Sequence, residues 1–155
     1  IMSRSFDAFS LSGEFVPQAL PLIRATWPSI DMTTWQRFVQ FFSGEGAAQG
    51  SGVLGLRDSG CCLCGVLAYR TDLDLQSGLV LAIQLFTAAD LANSLGTIRA
   101  LLEAAELQAL ELGCTSLQIR LLSGQAGLAS RLRSLGLYYD TGLLRMEIDS
   151  RRARN

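Results

Sequence analysis

Between Ile98 and Leu112, Ile98, Leu101, Leu102, Ala105, Ala109 and Leu112 recur at the spacing of one helix face. Arg99, Glu103, Glu106, Gln108 and Glu111 fill the other side, and Gly113 stands where a C-cap favours a left-handed residue. Just upstream, Leu79–Thr87 is apolar along almost its whole length, with Gln84 its only polar side chain. Such a run predicts a strand covered on both faces, hence a central one. The stretch therefore reads as strand, loop and long helix. Free N–H groups and the positive end of the dipole make a helix N-terminus in that setting a place to hold an anion.

The rest of the chain supplies shorter periods. Residues 3–11 place Phe6 and Ala8 on one side of a first edge strand. A short helix is expected over residues 17–25, with Pro17 in its first turn, ending at Trp27-Pro28 because a residue before proline leaves the α region. Asp31 suits the N-cap of a helix over Thr33–Ser43 closed by Gly44. Its Trp35, Phe38, Val39 and Phe42 form a stripe that reads as core in preference to a ligand-binding face. Glu45–Gly52 is a loop by composition. Gly52–Arg57 and Cys61–Arg70 read as strands joined by a tight turn at Asp58-Ser59-Gly60, followed by a polar connection over Thr71–Gly78. After the long helix come a strand over Ser116–Leu122, a short helix over Ala126–Leu135 stopped by Gly136, and a strand pair, Leu137–Asp140 and Leu143–Asp149, about Thr141-Gly142. The basic tail from Arg151 is expected to fray.

This order predicts a single domain over residues 1–155 in the α/β class: a mixed, mostly antiparallel central sheet flanked by helices on both faces. The strand–helix–strand unit about the long helix is expected to be parallel and right-handed. With 155 residues, 49% of them hydrophobic, a packed core is expected.

Charge and residue usage narrow the chemistry. A net charge of −1 argues against a nucleic-acid partner. All 13 basic residues are arginine, and neither lysine nor histidine occurs. That excludes a Ser-His-Asp triad, histidine-ligated metal, a phosphate-loop lysine and a Schiff base. Cys61, Cys62, Cys64 and Cys114 have no histidine to help them ligate, so no metal is expected and burial as small hydrophobes is the preferred reading. On a strand, Cys62 and Cys64 would share a face opposite Cys61. No apolar run reaches the roughly twenty residues that span a bilayer, so no membrane partner is expected, and a cytoplasmic protein with reduced thiols is the simplest expectation.

Two partial motifs sit inside this order. Leu101-Leu102 follows the loop Asn93-Ser94-Leu95-Gly96-Thr97-Ile98, and Leu135-Gly136-Leu137 closes the short helix. The arrangement resembles the GNAT superfamily of acyl-CoA-dependent N-acyltransferases, whose fourth strand leads into Q/R-x-x-G-x-G/A and a helix with a Leu-Leu pair, and whose late helix ends in L-G-F. Gly96 matches the first glycine. Asn93 replaces the Gln/Arg, Ile98 the second Gly/Ala, and Leu137 the phenylalanine.

The resemblance implies acetyl-CoA as acyl donor. Its pyrophosphate would lie on the amides of Asn93, Ser94, Leu95, Gly96, Thr97 and Ile98, with Arg99 near a phosphate, and glycine letting the oxygens approach. Its pantetheine arm would lie along Leu85, Phe86, Thr87 and Ala88, in a cleft against Ser116–Leu122, where a backbone amide polarises the thioester. Gln125 occupies the position of a family asparagine, and Leu132 that of the tyrosine acid. No catalytic side chain is thereby assigned; Tyr138, Tyr139, Asp72, Asp74 and Asp31 are neighbours without a clear role. The implied reaction is direct attack by a small-molecule or peptide amine in a ternary complex, water taking the proton. The alternatives are a catalytically silent GNAT-like domain serving as a ligand-binding or assembly module, and a structural homodimer through the apolar C-terminal strands.

Overall fold

Apolar on both sides, β4 (Gly78–Ala88) takes the middle of the sheet. A computed structural model describes residues 5–89, 94–122, 124–140 and 143–148. Before β4 come β1 (Phe6–Ser10), α1 (Phe15–Gln18), α2 (Leu20–Thr26), α3 (Met32–Ser43), β2 (Gly52–Asp58) and β3 (Leu63–Asp74). After it come α4 (Ser94–Glu111), β5 (Ser116–Ile119), α5 (Ala126–Ser134), β6 (Tyr138–Asp140) and β7 (Leu143–Glu147). Among the described residues the seven strands run β1-β2-β3-β4-β5-β7-β6, with β1 at an edge as expected. Only the β4–β5 pairing is parallel, as a crossover through α4 requires.

Helices cover both faces. On one, Leu67, Leu81, Ile83 and Phe86 of the sheet pack with Ile98, Leu101, Leu102, Ala105 and Ala109 of α4 and with Leu132 of α5. A Cβ on Gly65 would stand 3.3 Å from Leu101 Cδ2, so glycine there lets α4 settle closely on β3. On the other face, Val53, Val66, Ala68 and Leu85 pack with Ile23 of α2 and with Trp35, Val39 and Phe42 of α3. The carboxylate of Asp31 accepts the Thr34 N–H at 2.8 Å, the expected N-cap of α3. These bonds hold the Asp31 carboxyl below the ordinary carboxylate range.

Four expectations are corrected. The single helix over residues 17–25 is two helices meeting at the buried Ala19, because Pro21 lacks the N–H that would continue the ladder to the carbonyl four residues back. The strand expected from Cys61 begins at Leu63: Cys61 is a left-handed turn residue with φ 63°, and the Asp58 carboxylate accepts the N–H groups of Gly60 and Cys62 at 2.9 and 3.0 Å. Cys61 and Cys62 are thus exposed in a turn, and only Cys64 points inward from the strand. The connection over Thr71–Gly78 is instead the outer half of a hairpin. Leu73 pairs with Leu79 and Asp74 with Gly78; Leu73 and Leu75 alternate with Asp72 and Asp74, but both leucines are exposed, and the Asp, Ser and Gly content of the stretch reads as loop. The strand expected to reach Leu122 ends at Ile119, for a reason that lies in β4.

Candidate functional site

The parallel ladder of β4 and β5 closes with Ile83 opposite Ile119 and the Arg120 N–H donating to the Ile83 carbonyl at 3.0 Å. On its other edge β4 pairs Tyr69 with Ile83 but Ala68 with Leu85, so Gln84 is the extra residue of a β-bulge. A bulge bends its strand and adds twist, and β4 leaves β5 at this residue. It also shifts the alternation of side chains. Leu81 and Ile83 face α4, yet Leu85 faces α2 and α3, and Phe86 returns to the α4 core.

The N–H and C=O of one strand residue leave on the same edge. Ala89 donates to the Cys64 carbonyl at 2.8 Å, so alternate residues 85, 87 and 89 face β3 while Phe86 and Ala88 face the parting. Of the four residues expected along this stretch, these two present main chain to the gap. Gln125, at the N-cap of α5, spans it: its Nε2 donates to the Phe86 carbonyl at 2.7 Å and its Oε1 accepts the Leu122 N–H at 3.1 Å. One buried side-chain amide thus makes the two bonds that a peptide unit laid between the strands would make.

The N-terminus of α4 follows five residues after Ala89. Leu95 and Arg99 are exposed and Gly96 is half-buried, while Thr97 and Ile98 are fully buried. Ile98 points into the α4 core, and the Thr97 hydroxyl has no hydrogen-bond partner among the described residues. Arg99 lies in a shallow depression between α4 and α5 beside Glu103 and Glu106. Asn93 lies outside the described residues, as does the side chain of Ser94.

A hollow lies on each side of the parting. Toward α5 there is a cleft of about 390 Å³ with Leu121, Leu122, Gln125 and Tyr139 in its walls. Toward α2 and α3 there is a cavity of about 160 Å³ whose walls are Leu85 and Leu122 on the strand side and Ile23, Trp27, Ile30, Thr34, Trp35 and Phe38 on the helix side. Leu122 is common to both.

The ionisable neighbours are engaged elsewhere. Asp31 caps α3, Asp72 lies 3.4 Å from Arg70, Asp74 accepts the Gln76 N–H, and Tyr138 donates to Glu147. Arg133 covers the ring of Tyr139 at 5.3 Å, and Leu132 is fully buried. Sequence reasoning passed over the bulge, the cross-tie by Gln125 and the apolar cavity. Gln84, alone among apolar neighbours, was the available signal for the first.

No protein-family model and no curated protein matches this chain. Solved structures match over nearly its whole length. An aminoglycoside N-acetyltransferase in complex with CoA aligns with a TM-score of 0.72 at 12% identity, over 90% of this chain and 91% of that one. The chain has the GNAT fold. The Escherichia coli ribosomal-protein-S18-alanine N-acetyltransferase gives a TM-score of 0.65 at 16% identity, over 94% of this chain and 95% of that one. A GNAT-family acetyltransferase from Staphylococcus aureus gives 0.69 at 8%, over 94% and 100%. The GNAT resemblance read from the element order thus holds for the fold, and β4 and α4 are the strand and helix the sequence pattern singled out.

Proposed function

We propose that this protein moves an acetyl group from acetyl-CoA to an amine. The observation that carries the reading is the bulge-driven parting of β4 from β5, with the Phe86 and Ala88 main chain on its edge and the first turn of α4 just beyond. Support comes from the shared fold, and from the neighbour solved in complex with CoA.

In this reading the α4 amides from Ser94 to Ile98 take the pyrophosphate, with Gly96 leaving room for its oxygens. Thr97 and Ile98 contribute through main chain alone, because their side chains are turned into the core. Arg99 stands exposed one turn along, able to meet a phosphate. The pantetheine arm lies on the α5 side of the parting, against the Phe86 N–H and the Ala88 main chain, beside the point where Gln125 already pairs with the Phe86 carbonyl. The Phe86 N–H donates to the thioester oxygen as negative charge develops there. The amine lone pair attacks the carbonyl carbon, the N–C bond forms and the C–S bond breaks. Sulfur leaves as thiolate and is protonated, while water takes the proton from nitrogen. No side-chain acid is required, consistent with leucine at position 132.

Calorimetry with acetyl-CoA, followed by thiol release with a panel of amines, tests the reading. Saturable binding with amine-dependent thiol release is expected. Absence of binding at millimolar acetyl-CoA overturns donor and reaction together, and binding without turnover on any amine leaves a ligand-binding module.

A further inference from the structure

We infer that the acceptor is an amine bearing one uncharged apolar group, an aryl ring or a branched alkyl chain of similar size, seated between α2, α3 and the parted strands. The inference rests on the acetyl-transfer reading and names the substrate class of that same site.

The bulge at Gln84 starts the argument. It turns Leu85 toward α2 and α3, whereas an unbroken strand would have left that side chain on the α4 face with Leu81 and Ile83. Leu85 and Leu122 thereby form the strand-side wall of a hollow whose opposite wall is aromatic: Trp27, Trp35 and Phe38. Trp35 and Phe38 stack 5.9 Å apart at 15°, and the Trp35 Nε1–H is spent on the Val16 carbonyl at 2.7 Å, so the ring surface is what the hollow receives. None of the lining residues carries a formal charge.

Size and place fix the class further. A cavity of about 160 Å³ is close to the roughly 150 Å³ of an apolar protein cavity that stays dry and takes up benzene. The hollow, open at the Thr34 rim, therefore has room for one ring or one branched alkyl group. It adjoins the parting through Leu85, whose chain neighbour Phe86 presents its main chain to the gap, and through Leu122, whose N–H is tied to Gln125. An amine seated by its apolar end points its nitrogen toward the position where the acyl carbon is expected. A polycation would meet no carboxylate among these residues, and its desolvation would go uncompensated.

The chain's two tryptophans, Trp27 and Trp35, both line this hollow, so intrinsic fluorescence reads its occupancy without any acyl donor. Titration with 2-phenylethylamine and with 3-methylbutylamine is expected to shift or quench the emission saturably, while spermidine leaves it unchanged. Thr34→Arg, at the exposed rim, and Leu122→Arg, on the other wall, should each weaken that response by about tenfold or more. Circular dichroism of both variants confirms that the fold survives. Absence of a saturable response to either apolar amine overturns the inference. So does thiol release from acetyl-CoA that favours spermidine or an aminoglycoside over both apolar amines, a result that leaves acetyl transfer standing. Failure of acetyl-CoA to bind alongside a normal fluorescence response would overturn the transfer reading instead, leaving the hollow as an apolar-amine site.

Discussion

The two hollows beside the parted strands share one wall residue and almost nothing else. Toward α5, Gln125 and the main-chain edge of Phe86 and Ala88 meet walls that also carry the apolar side chains of Ile119, Leu121 and Leu144 and the ring of Tyr139. Toward α2 and α3 they are indole rings, a phenyl ring and branched aliphatic side chains. One side works through backbone geometry that many side chains permit, and the other through the side chains themselves. The stability of the sheet also divides unevenly, since α4 lies buried along its inner face while α3 leaves part of its stripe to line a cavity. In the proposed reaction the hollow toward α5 would serve the donor and resist change through its fold, and the hollow toward α2 and α3 would serve the acceptor and resist change through its composition.

The division can be broken most heavily at Leu101, which is fully buried over Gly65. Leu101→Ala is expected to lower unfolding stability by about 2–5 kcal/mol in a urea titration, while the native protein keeps its tryptophan response to apolar amines. Gln125→Leu should come next. It strands the Phe86 carbonyl and the Leu122 N–H, and a cost of about 1–3 kcal/mol is expected by the same titration, larger than for an exposed glutamine. Gly96→Trp is expected to cost roughly tenfold in acetyl-CoA affinity by calorimetry and to leave amine-induced fluorescence unaltered. Equal affinity would remove the pyrophosphate assignment from the first turn of α4.

The smallest effect concerns Asp31. Its carboxyl titrates below the usual 3.8 because it accepts from Thr34. A lowered folded-state value means that the stabilisation is complete above the unfolded value and is lost as pH falls through the folded one. Asp31→Asn keeps a capping side chain but carries no titrating group. Thermal melts should therefore match the parent's closely at neutral pH, and the variant should lack this residue's share of the fall in stability below about pH 4.

How much of this was legible follows the same division. The face of α4 was written in the spacing of Ile98, Leu101, Leu102, Ala105 and Ala109, because burial on one side of a helix leaves a period. The cap at Asp31 was equally plain, being a local bond between near neighbours. The α3 stripe was read as core, and Trp35, Val39 and Phe42 are buried so; Phe38, half-buried, turns to the cavity with Trp27. That role depends on α2 and β4 arriving from elsewhere, which no period within α3 can report. The outer half of the β3–β4 hairpin is obscured by its Asp, Ser and Gly content: Leu73 and Leu75 alternate with Asp72 and Asp74, yet both leucines are exposed and mark no buried face. For the residues proposed to hold the donor, the sequence offers the resemblance alone. Main-chain groups have no letter in the sequence, so which of residues 85 to 88 face the gap could be learned only from register.

Gln84 carries a consequence beyond geometry. Because the bulge puts Leu85 and Phe86 on opposite faces, two consecutive codons answer to different tenants. The Phe86 side chain is held by the packing of α4, so a smaller residue there would cost stability whatever its effect on the hollow. Leu85 lies on the other face, packed among Val66 and Ala68 and forming a wall of the aromatic hollow with Trp27, Ile30 and Phe38. If the hollow seats the acceptor as proposed, its fit could be altered without a new loop or strand, by substitutions on one side of a wall one chain thick.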